Sequence, residues 1–189
     1  MRWPAATVVA GVGRRIAAYL VDSLIVGVAD ILLTVLFDAV FGPLVAATSD
    51  GAALQVVAVN PLRVVLELTA TLVIDAAYFA GCWSRWGATP AQLALGLRIR
   101  LADGAPAASA SSRALPIEAA WQRWAVLAVF PIAIGSLAAS GALNAGVLVV
   151  ANGTWFLVLL ISTAADPLRR GLHDRAAGTV VVVAPNRAA

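Results

Sequence analysis

Lysine is missing from this chain of 189 residues, and cysteine, histidine and charge of either sign are scarce. Cys82 is the one cysteine, so no internal disulfide can form, and in its apolar run it reads as a buried, inert thiol. One cysteine and one histidine, His173, cannot assemble a metal-ligand cluster, so zinc chemistry is excluded and no cofactor is implied. Charged residues make up 12% and hydrophobic ones 61%, with a mean hydropathy of +0.91. Soluble domains carry about 25% charge, so this composition indicates a membrane chain. All 13 basic residues are arginine, giving a net charge of +3. They form no basic stripe with interleaved aromatics, which excludes a nucleic-acid surface. No Ser/His/Asp constellation and no phosphate-cradling glycine loop is present either, so no enzyme is expected.

What the chain does have is four apolar runs, at about 16–41, 62–83, 117–139 and 145–165. Each reaches the roughly 20 helical residues needed to cross a hydrocarbon core of about 30 Å. Gly42 to Pro61, rich in Gly, Ser, Asp, Asn and Pro, reads as a loop, and Ser140, Gly141 and Asn144 as the turn of a helical hairpin. Arg2, Arg14 and Arg15 precede the first run. Arg85, Arg98, Arg100, Arg113 and Arg123 are counted between the second and third, and Arg169, Arg170, Arg175 and Arg187 follow the fourth. Only Arg63 falls on the opposite side. The positive-inside rule then puts both termini and the middle loop, residues 84–116, in the cytoplasm. The expected fold is an all-α membrane protein of four transmembrane helices, N-in/C-in, with a small cytoplasmic interfacial cap. Residues 1–15 form an interfacial lead-in, 16–183 the membrane domain and 184–189 a tail.

Three blocks carry a family resemblance. They are Gly13-Arg14-Arg15-Ile16-Ala17-Ala18-Tyr19-Leu20-Val21-Asp22, then Trp86-Gly87-Ala88-Thr89-Pro90 leading to Leu95-Gly96-Leu97-Arg98-Ile99, and Leu172-His173-Asp174-Arg175-Ala176-Ala177-Gly178-Thr179-Val180. In this order they resemble the signature blocks of the RDD membrane proteins, named for one arginine and two aspartates, which fall here at Arg15, Asp22 and Asp174. Ala91-Gln92 stands where similar proteins continue with Gly-Lys. The resemblance implies a multispanning protein of the bacterial cytoplasmic membrane. In relatives, transport of unidentified ligands has been proposed, some resemble sodium/proton antiporters, and some accompany lipid importers of the mammalian-cell-entry type.

The charged residues inside the runs need an account, because a carboxylate at the bilayer centre costs about 2.5–3.5 kcal/mol on insertion scales. Asp22 and Asp30 lie in the first run, Glu67 and Asp75 in the second. Members of each pair are eight residues apart, roughly 12 Å along a helix. In antiparallel neighbours Asp22 would share a level with Asp75, and Asp30 with Glu67. These four are candidates for a proton or cation relay. Arg15 and Asp22 share a face but stand roughly 10 Å apart, so a third group should lie between them. Asp174 is the natural partner for Arg15, and an Arg-to-Asp contact there would clasp the C-terminal segment to the first helix. Both readings, relay and clasp, are open to the sequence.

Asp38 reads as solvated, Asp103-Gly104 as a turn, Asp166-Pro167 as the stop of the fourth helix, and His173 as a structural hydrogen bonder. The six tryptophans read as an aromatic belt. Gly87 to Leu101 alternates Leu93, Leu95, Leu97 and Ile99 with smaller or basic residues, which suggests an interfacial segment with Arg98 and Arg100 facing lipid headgroups or a partner. The β-branched run Thr179 to Val183 should pair with it as a strand. Two functions are in view: an accessory or assembly subunit of a larger membrane complex, lipid transport included, and a small oligomeric cation- or proton-coupled transporter. Membrane lipids, further copies of the chain or a larger complex are the expected partners.

Overall fold

The structure, a computed structural model, describes residues 8–43, 45–49, 54–102, 115–139 and 145–184. The elements run α1 (Val12–Phe41), β1 (Val45–Ser49), β2 (Leu54–Val59), α2 (Pro61–Trp86), α3 (Pro90–Ala94), β3 (Leu97–Leu101), α4 (Ile117–Ala139), α5 (Ala145–Ala165), α6 (Leu172–Ala176) and β4 (Thr179–Val183). Four stretches are long and apolar enough to cross a bilayer: Val12–Phe41, Pro61–Trp86, Ile117–Gly135 and Gly146–Ala165. The protein is a mostly helical membrane protein, as its composition requires. Its spans expose rows of large apolar side chains, Leu24, Ile31, Leu32 and Val35 on α1 among them. In a bilayer such a surface meets lipid tails at no cost.

The chain forms two compact units, Met1–Asp22 with Ala76–Ala189, and Ser23–Asp75. In the first, a small cap is built from two matching arms. α3 begins at Thr89, whose side chain caps the helix while Gln92 reaches back to the Thr89 N–H, and Pro90 occupies the first helical position, where its missing N–H costs nothing. Gly96, at φ 66°, then reverses the chain into β3. The second arm repeats the plan: α6, Gly178 at φ 60°, then β4. A side chain at either glycine would be forced into the left-handed region.

β3 and β4 pair antiparallel, Leu97 opposite Val183 and Leu101 opposite Thr179. The segment before α1 joins the other edge of β4, with Ala10 N–H donating to Val181 O at 3.0 Å and Val183 N–H to Val8 O at 2.8 Å. That makes β4 a central strand, and its unbroken β-branched run is buried along nearly its whole length. Leu97, Ile99 and Val181 pack with Trp83, Ala18, Ala80 and Ala120 in one core. Fully burying a side chain the size of Leu or Ile contributes about 1.5–3 kcal/mol.

Several expectations are corrected by this architecture. The lead-in, over residues 8–10, forms an edge of the cap sheet, because β4 has a second row of backbone groups to satisfy. Gly42 to Pro61 is not a plain loop: β1 and β2 pair as an antiparallel hairpin with a register shift between Ala46 and Ala47. The alternating residues after Gly87 form α3 and β3, and Leu97 and Ile99 point into the cap core, where burial is gained without a leaflet. The pairing of Thr179 to Val183 with that segment is as expected. The Asp103-Gly104 turn, the Ser140 to Asn144 turn, Arg113, residues 1–7 with Arg2 and Trp3, and the tail from 185 with Arg187 lie outside the described residues.

Candidate functional site

The C-terminal arm is set up by the end of α5. Asp166 stops that helix, its carboxylate accepting from the Leu168 N–H at 2.7 Å, the Arg170 N–H at 3.3 Å and the Arg170 guanidinium at 3.2 Å. The chain then passes Gly171, where a Cβ would stand 2.7 Å from both His173 and the Thr163 hydroxyl, so no larger residue fits without displacement. Asp174 follows in the first turn of α6, fully buried. Its Oδ2 accepts from the Gly171 N–H at 3.2 Å and from Arg15 Nη1 at 2.9 Å. Its Oδ1 accepts from Arg123 Nη1 and from the Thr179 hydroxyl at 3.2 Å. Arg15 also donates to Val181 O at 3.2 Å, and Arg123 to Thr179 Oγ1 at 3.0 Å. The Arg123 guanidinium stacks over Trp83, 4.9 Å from the ring centroid. One carboxylate thus holds two guanidiniums from α1 and α4, and each is held by a second contact in the cap.

Asp22 is almost as deeply buried, at 1% exposure, but its partners are neutral. Tyr78 donates its hydroxyl to Oδ1 at 2.6 Å, Thr89 donates to Oδ2 at 2.5 Å, and the Ala91 N–H reaches Oδ1 at 3.3 Å. Thr89 therefore fastens α3 to α1 while capping its own helix. Gln92, where similar proteins have lysine, closes the capping box and accepts from Trp83 Nε1 at 3.2 Å. Arg15 and Asp22 bond to different partners, so no bridging group is needed to explain either.

The expected Arg15–Asp174 pair is present. Arg123 was not anticipated: counted among loop arginines, it lies six residues into α4, buried. Trp83 is correspondingly buried in the core and does not belong to a belt. The rule that flags a carboxylate inside an apolar run applies equally to an arginine, and it would have found Arg123. His173 stands 3.5 Å by Nε2 from Asp174 Oδ2, and its Nδ1 is buried without a hydrogen-bond partner. Burial, with the charges of Arg123 and Arg15 beside it, holds its pKa well below the usual 6.5, so the ring is neutral. Arg98 and Arg100 sit half-buried on the face of β3 opposite Leu97 and Ile99. A cavity of about 110 Å³ opens beside the clasp, lined by Arg15, Asp22, Gln92, Arg123, Thr163 and His173 at polar positions and by Tyr19, Phe79, Leu127 and Phe156 among its apolar walls.

The other candidate acids belong to the second unit. Glu67 accepts from the Thr34 hydroxyl at 2.7 Å and from Arg63 Nε at 3.3 Å. Arg63 is buried, ion-paired to Asp38 at 2.5 Å as well, and donates to Gly42 O. Asp38 is therefore not simply solvated: half exposed, it shares the Arg63 guanidinium, whose burial requires a counter-charge. Asp30 accepts from Thr71, and its charge acts on Asp75. Of the four acids read from the spacing as a relay, Asp22 falls in the first unit and Asp30, Glu67 and Asp75 in the second. Among the described residues, no three His, Cys, Asp or Glu side chains are grouped to hold a metal ion.

Comparison with known proteins gives a match to the RDD family over residues 9–178. No curated protein and no solved structure matches.

Proposed function

The chain belongs to the RDD family of membrane proteins, and we propose that it serves as an accessory or assembly subunit of a larger membrane complex, a lipid-transport complex being the class implied by resemblance. The observation that carries this reading is that all three signature side chains are committed to internal contacts: Arg15 and Asp174 to each other with Arg123, and Asp22 to Tyr78, Thr89 and Ala91. Buried ion pairs are well attested as devices that fix register. They give a small bundle a rigid cap to present. In this reading the chain lies in a bacterial cytoplasmic membrane with both termini and the cap inside, as its arginine distribution favours. A tagged copy drawn from native membranes in mild detergent should bring down larger membrane subunits at stoichiometric levels. Recovery of a free homo-oligomer alone would overturn the proposal.

A second reading, a small oligomeric cation- or proton-coupled transporter, is favoured by one observation in the second unit. Asp30 Oδ1 is buried there with no hydrogen-bond partner among the described residues. Intramembrane acids of this kind are the groups transporters protonate and discharge. In proteoliposomes under a pH gradient, the Asp30→Asn and Asp75→Asn variants should then lose flux, and unchanged flux would sink the idea.

A further inference from the structure

We propose that the cavity beside the clasp is a binding site for a small organic monoanion, a carboxylate on a short apolar chain. This goes beyond either reading above and depends on neither.

The clasp leaves two buried donors unused. Asp174 accepts from the Nη1 atoms of Arg15 and Arg123, but the Nε of each is buried without a hydrogen-bond partner. The Arg123 side chain is only 4% exposed, so bulk water does not serve it. A guanidinium is a donor only and keeps its proton, so an acceptor is the one group that can satisfy these atoms. Its planar fork matches a carboxylate best. Both arginines line the cavity.

The rest of the lining fixes the other end of the ligand. Asp22 also faces the cavity, seven residues along α1 from Arg15 and so roughly 10 Å away, and it already takes three donors. An anionic head therefore belongs at the arginine end. Beyond it the walls are aromatic and aliphatic, with Tyr19, Phe79, Phe156 and Leu127 among them, which suits alkyl carbons. A volume of about 110 Å³ is below the roughly 150 Å³ engineered void that takes up benzene, so the enclosed part of the ligand is a head and a few carbons. A free short-chain acid and the head of a membrane fatty acid both present this chemistry.

The test is saturable binding of radiolabelled hexanoate to the purified full-length protein in detergent, with hexan-1-ol as the uncharged competitor. Hexanoate should bind and hexanol should not displace it. Arg123→Lys, which keeps the charge but loses the fork, should weaken binding at least tenfold. Because that variant also disturbs the clasp, Leu127→Trp provides the second arm: it fills the cavity, leaves the ion pairs alone, and should abolish binding while the protein melts as the parent does. Displacement of hexanoate by equimolar oleate would assign the site to membrane fatty acids, and its failure to a soluble acid, the site standing in both cases. No saturable binding, equal competition by hexanol, or undiminished binding in the well-folded Leu127→Trp variant would overturn the proposal.

Discussion

Asp22 and Asp174 are the same residue type, both almost wholly buried, both signature positions, and each fastens one arm of the cap. They are held in opposite ways. Asp174 is met by two cations, Arg15 and Arg123, so its charge and theirs are mutually necessary. Asp22 is met by two hydroxyls and a backbone N–H, so its charge is only solvated. Removing one member of a buried ion pair strands the other, whereas hydroxyl donors can turn and accept. The difference teaches that equal burial and equal membership of a signature do not imply equal dependence on charge.

The sharpest way to break this comparison is to neutralise each acid in turn. Asp174→Asn leaves two buried guanidiniums against one neutral amide and should lower stability by about 3–5 kcal/mol in thermal unfolding of the purified protein. Asp22→Asn keeps an acceptor for the Ala91 N–H and lets Tyr78 and Thr89 reorient, so a loss of about 1–3 kcal/mol is expected. If the second loss equals or exceeds the first, charge compensation is not what separates the two sites.

Gly171→Ala probes the same clasp from the backbone. The added methyl meets His173 and Thr163 at 2.7 Å, and overpacking of that kind costs about 1–3 kcal/mol. The glycines that close the two arms offer a matched control. Gly96→Ala and Gly178→Ala find open space but retain a positive φ, so each should cost roughly 1 kcal/mol. A difference between the two would have to come from the arms and not from the turns.

The same comparison extends to pH, through the Asp174 side alone. His173 is neutral in the fold because its pKa lies well below 6.5. The unfolded chain takes up a proton that the fold refuses. This contribution is therefore complete above about pH 6.5 and is lost progressively as pH falls below it. Unfolding midpoints measured from pH 8 to 5 should drop at the acid end, and a His173→Gln variant should flatten that part of the profile.

How far the sequence could be read depends on the kind of interaction. The spans were legible because hydropathy over 20 residues is additive and local, and the Arg15–Asp174 pair because an arginine at a helix entrance needs a nearby acid. The hairpin of β1 and β2 was hidden by turn-forming composition, and the edge role of residues 8–10 by their distance in sequence from β4. Arg123 was obscured by its neighbourhood in sequence: four other arginines precede it after the second span, and burial distinguishes it from them. The same holds for Arg63, which reads as an isolated outer charge until Asp38 and Glu67 are seen around it.

The sequence alone determined that this chain lives in a membrane, where it crosses, and that its buried charges must find partners, because transfer from water to hydrocarbon depends on each residue's own chemistry. Which charge meets which was decided only by tertiary structure. Asp22 finds hydroxyls from α2 and the Thr89 turn, Asp174 finds arginines from α1 and α4, and the cavity beside the clasp exists because helices far apart in sequence close around it.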